Sequence, residues 1–114
     1  MLRSRADMQN ACFDNCHDGQ GRIAAHIVLD ASDSNLGIRF MHDDVLEPGA
    51  GIGEHLHKGN EEVYFVVEGH GTMILDGQEH PFGPGDVSVV KSGHTHGLVN
   101  SAKGPMRLLV FCVE

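Results

Sequence analysis

A chain of 114 residues holds one hydrophobic core and one domain, and its 40% hydrophobic and 21% charged content is that of an ordinary globular protein. A net charge of -8 opposes phosphate backbones and anionic lipid surfaces, so neither nucleic acid nor a membrane is expected as a partner. Three cysteines, Cys12, Cys16 and Cys112, and a start, MLRSRADMQN, without an apolar signal segment predict reduced thiols and a cytoplasmic location.

Residues 1–20 are polar and rich in Asn, Asp and Gly, and read as an N-terminal arm able to lie on a partner subunit; residues 21–114 read as the folded domain. Within the arm, Cys12, Cys16 and His17 lack a clear fourth partner for a metal, which favours packing roles. From Arg22 the chain turns to strand-like runs: RIAAHIVL, a loop DASDSN, then LGIRFMHDDVL. In the last run Leu36, Ile38, Phe40 and His42 share one face, and Gly37, Arg39 and Met41 share the other. His42, on the apolar face, reads as a satisfied inner-wall histidine or as a catalytic group that touches substrate. Arg39 reads as an exposed strand residue or as an anchor for an anionic substrate, a role also open to Lys91 and Arg107.

The stretch GAGIGEHLHKGNEEVYFVVEG, from Gly49 to Gly69, carries the densest chemistry. His55 and His57 are two apart, so on an extended backbone both imidazoles leave the same face. After the short turn KGN, Glu62 opens a second run that folds back beside the first. Tyr64, the only tyrosine, shares the face of Glu62 and is a candidate for moving protons or bonding substrate, or simply for packing its ring.

Downstream come TMILD, the Asp76-Gly77 hairpin signal, QEHPF, the turn GPGD, then VSVVK and THGLVN, and the closing run MRLLVFCV. His96 is a fourth candidate ligand, and His94, two residues before it, can line the same mouth or a solvent-facing turn. About eight to ten short strands between Gly and Pro turns, with no helical stripe, predict an all-β sandwich or barrel. His55, His57, Glu62 and His96 form a mixed N/O ligand set suited to one divalent Fe, Mn, Ni, Co, Cu or Zn ion, with positions left open for water or substrate.

Gly49, His55, His57, Glu62 and Gly69 match the spacing of the first cupin motif, and Gly85, Gly93, His96 and Asn100 that of the second, so the chain resembles the cupin superfamily. Lys91 stands where that family usually has proline, which loosens a turn and removes no ligand. The resemblance implies a single-domain, cupin-type jelly-roll β-barrel with the metal inside its mouth, and it is most similar to small oxalate-decarboxylase-like members. It implies a small-molecule substrate and a metal-dependent enzyme, a dioxygenase or decarboxylase of a small organic acid. An isomerase or lyase with Tyr64 as base, or a binding module without turnover, are the alternatives. The apolar runs RIAAHIVL and MRLLVFCV predict a homodimer, because a small barrel leaves sheet edges and an outer apolar face to cover.

Overall fold

The period-two alternation becomes ten strands in the computed structural model, which describes residues 1–114. They are β1 (Gln9–Asp14), β2 (Arg22–Asp30), β3 (Ile38–Leu46), β4 (Gly51–Leu56), β5 (Glu61–Glu68), β6 (Gly71–Leu75), β7 (Gln78–Phe82), β8 (Val87–Val90), β9 (Thr95–Val99) and β10 (Met106–Val113). One-turn 3-10 segments at Arg5–Asp7, Cys16–Asp18 and Ala31–Asp33 are the only helical pieces, and no helix is long and apolar enough to cross a membrane.

Two antiparallel sheets face each other as a jelly roll. The larger has the strand order β1-β2-β3-β10-β5-β8 and the smaller β4-β9-β6-β7. β10 lies inside the larger sheet, and its alternation buries Met106, Leu108, Val110 and Cys112 while Leu109 and Phe111 stay half-buried outside. Ile23, Leu46, Val66 and Leu108 of the larger sheet pack in one core with Ile52, Met73, Phe82 and Leu98 of the smaller. Asp76 and Gly77, with φ of 47° and 80°, make the left-handed turn of the β6–β7 hairpin. Asn100, fully buried, donates from Nδ2 to the carbonyls of Leu46, Glu47 and Gly104, and so ties three chain segments together below the site.

Two expectations change. Residues 1–20, read as an arm, contain β1, which pairs with β2 of the same chain from Gln9 opposite Ile27 to Asp14 opposite Arg22. Their polar composition belongs to an edge strand with little side to bury. Leu36, read as sharing the core-facing side of β3, is 94% exposed, because the strand starts only at Ile38. The outer face of the larger sheet is apolar where Phe65 pairs with Val87 and Leu109, and Val63 with Val89 and Phe111.

Candidate metal centre

Strand pairing brings the four predicted ligands together. His55 lies near the end of β4 directly opposite His96 of β9, and Glu62 is the second residue of β5. His57, just past β4, is held by its own backbone: its N–H donates to the His94 carbonyl at 3.1 Å, and its carbonyl accepts from the Gly93 N–H at 2.7 Å. Their ligating atoms all lie within 4.8 Å of one another. His57 Nε2 is 3.0 Å from His55 Nε2 and 3.1 Å from His96 Nε2, and Glu62 Oε1 is 3.1 Å from His96 Nε2 and 3.5 Å from His57 Nε2.

These separations fit one transition-metal ion. Bonds of about 2.0 to 2.2 Å at right angles place neighbouring donor atoms about 3 Å apart. The tautomers point the same way. His55 Nδ1 donates to the Gly53 carbonyl at 2.7 Å and His57 Nδ1 to Asn60 Oδ1 at 2.6 Å, so the two Nε2 atoms both present lone pairs across their 3.0 Å gap. Facing lone pairs repel unless a cation lies between them. His96 Nδ1 is buried without a partner.

Electrostatics agree with a neutral His55 and an ionised Glu62. Burial, joined by the neighbouring histidines and only partly opposed by the Gly53 hydrogen bond, pushes the His55 imidazolium down to about 4. Burial works against ionisation of Glu62, but hydrogen bonds from His96 and Tyr64 and the nearby His96 and His57 rings outweigh it and hold the carboxyl below its ordinary value. Tyr64 is 2% exposed and stacks on His96 with ring centroids 4.6 Å apart. Burial, then the charge of Glu62, pushes its phenol well above the ordinary value, so it keeps its proton.

Beside the cluster lies a cavity of about 170 Å³ whose lining includes Glu62, Tyr64, His42, Asp44, Cys16 and His17. His42 stacks on Phe40 at 4.5 Å, and burial lowers its pKa, so the imidazole is neutral at neutral pH. Of the predicted site residues, the structure brings His42 and Tyr64 to this cavity and leaves Arg39 and His94 outside it. Arg39 pairs with Glu114 at 3.0 Å on the surface, and His94 with Asp76 at 2.7 Å in an exposed turn. Arg107 binds Asp43 with two hydrogen bonds of 2.9 and 2.7 Å, and Lys91 is exposed.

Sequence reasoning missed two residues of the cavity. Asp44 is next after His42 on the face that carries Ile38 and Phe40, so continuing that alternation by one more step finds it. His17 stacks on His55 with centroids 3.7 Å apart, in a segment where Asn15, His17 and Asp18 all have positive φ. Nothing in the sequence signals that stack. It depends on Gly53, where any Cβ would overlap the His17 carbonyl. Cys12, Cys16 and His17 form no second metal cluster.

A family model described as the cupin domain matches residues 43–112. The oxalate-binding protein of Thermotoga maritima is 26% identical over 101 residues, which span 89% of this chain and 84% of that protein. Among solved structures, a predicted oxalate decarboxylase from Thermotoga maritima has a TM-score of 0.93 at 24% identity and covers 99% of this chain and 98% of its own. A sugar phosphate isomerase from Silicibacter pomeroyi has a TM-score of 0.72 at 26% identity, over 99% of this chain and 66% of its own.

Proposed function

The chain belongs to the cupin domain family, and from that premise we propose that it is a metal-dependent enzyme that moves a proton on a small molecule held beside His55, His57, Glu62 and His96. A divalent transition metal bound by these four residues supplies Lewis acidity and leaves coordination positions open. The observation that carries the reading is His42, a half-buried imidazole that lines the same cavity as Glu62 and whose pKa burial lowers. A neutral imidazole accepts a proton at neutral pH, and Tyr64, which keeps its proton, can donate one from the same sheet, where both residues flank Val110 of β10. Tyr64 is therefore the proton donor of the pair and His42 the base. Lyases and isomerases need that pairing, and a relative of similar fold carries an isomerase name.

A second reading, decarboxylation or oxygenation of a small acid, is favoured by the oxalate-binding name of the Thermotoga maritima relative. One experiment separates the two. Metal-loaded protein is incubated in heavy water, under argon and under air, with a panel of small hydroxycarbonyl compounds and organic acids. Deuterium incorporation beside a carbonyl without oxygen, about a hundredfold slower in His42→Gln at unchanged metal content, is the expected result. Turnover that needs oxygen or releases carbon dioxide, at full rate in His42→Gln, refutes the proton-transfer reading.

A further inference from the structure

Asp43 and Asp44 are neighbours on β3 with opposite surroundings. Asp43 takes Arg107 in two hydrogen bonds and Arg5 in a third at 2.7 Å. Asp44, 4% exposed, has no partner for Oδ1. Its register partners, Ala25 on β2 and Leu108 on β10, are apolar, and the imidazole nitrogen His42 Nδ1 is 3.9 Å away, beyond hydrogen-bond reach. A buried acceptor left without a donor is destabilising, and Asp44 is one of the residues that line the cavity.

The cavity restricts what can supply that donor. At about 170 Å³ it is smaller than the pockets of about 300–1,000 Å³ that hold drug-sized ligands, so it suits a compound of few heavy atoms. Seven of its eleven lining residues are hydrophobic, and none is Lys or Arg. Its acidic groups are Glu62 and Asp44, joined by Cys16 from the 3-10 segment, whose thiol burial keeps protonated, and by His42 and His17. A dicarboxylate would bring a second negative charge toward Asp44 with no cation to receive it.

We infer that Asp44 selects the substrate, which is a small uncharged compound carrying a hydroxyl that donates to Asp44 Oδ1 and a second oxygen toward Glu62 and the histidines; this rests on the metal-dependent reading above. A site built to accept a hydroxyl discriminates strongly against a ligand that lacks it, because the acceptor is then left buried and unpaired. Asp44 is thus a specificity residue whose charge turns away polyanions and whose oxygen holds the hydroxyl.

The test uses zinc-loaded full-length protein at about pH 8, where the carboxylate form prevails, and two ligands of similar size. Dihydroxyacetone is the uncharged hydroxycarbonyl probe and oxalate the dianion. Affinities are read by NMR titration of backbone amides in wild type, Asp44→Asn and Asp44→Leu, with zinc content measured for each. Asp44→Leu is expected to weaken dihydroxyacetone about tenfold, Asp44→Asn less because its amide oxygen still accepts, and both to strengthen oxalate about tenfold. Unchanged affinities in zinc-bound Asp44→Asn, the variant closest in shape, overturn the inference while leaving the metal centre intact. Wild type that takes up no zinc overturns the metal reading and this inference with it.

Discussion

Replacing Asp44 by Asn should change how stability depends on pH, and the size of the change follows from burial. Burial, with the charges of Asp43 and Glu62 behind it, raises the Asp44 carboxyl from 3.8 to about 7. The folded protein therefore holds a proton that the unfolded chain releases, and wild-type stability falls as pH rises from the unfolded value through the folded one. A shift of about three pKa units corresponds to about 4 kcal/mol. Asn does not titrate, and its own burial adds only a constant offset. The stability of Asp44→Asn relative to wild type should therefore rise by about 4 kcal/mol between about pH 4 and about pH 8. Urea unfolding of chelator-treated protein across that range measures it, since a bound cation would favour the carboxylate and shrink the effect. Parallel curves for the two proteins would mean that Asp44 is solvated. A difference of opposite slope would mean that it is ion-paired, with His42 as the partner.

The double replacement His55→Ala, His57→Ala should abolish metal uptake, measured by metal analysis of protein purified without affinity-tag nickel, and stoichiometry unaffected by it would remove the assignment. Arg107→Ala should lower stability at neutral pH by about 1–3 kcal/mol, because buried Asp43 loses its two-bonded partner. Arg107 and Arg5 depress the Asp43 pKa, so the stability they add is present above the unfolded carboxyl value and is lost as pH falls through the folded one. Denaturation curves of wild type and Arg107→Ala should accordingly converge in strong acid. The outer patch around Phe65, Val87 and Val89 should hold two chains together, with sedimentation giving a dimer for wild type and a monomer for Phe65→Glu; a wild-type monomer at micromolar concentration ends that proposal.

The clustering of the candidate metal ligands was legible because their spacing is local: two histidines at strand period, a short turn, then Glu62 at the start of the return strand. His96 was legible as a fourth candidate but not as a neighbour of the others, since its position opposite His55 is a product of β4–β9 pairing. Most strands could be read from alternation, and the closing run MRLLVFCV coincides with β10 from end to end. β1 was hidden because an edge strand buries so little that its composition resembles a loop. Whether Arg39, Arg107 or Lys91 reached the cavity depended on which face of each element met the core and on long-range acidic partners, Glu114 and Asp43 among them. Neither is encoded within a few residues of the arginine.

The pair Asp43 and Asp44 also bears on how the sheet finds its alignment during folding. Slipping β3 by one residue against β10 and β2 would turn Asp43 inward, away from Arg107 and Arg5, and turn Asp44 outward. The misaligned sheet would still present an aspartate, Asp44, on the face of the arginines, but it would also turn Ile38, Phe40 and Leu46 away from the core. Two identical residues in tandem thus leave the choice of alignment to the apolar side chains on either side of them rather than to the arginines.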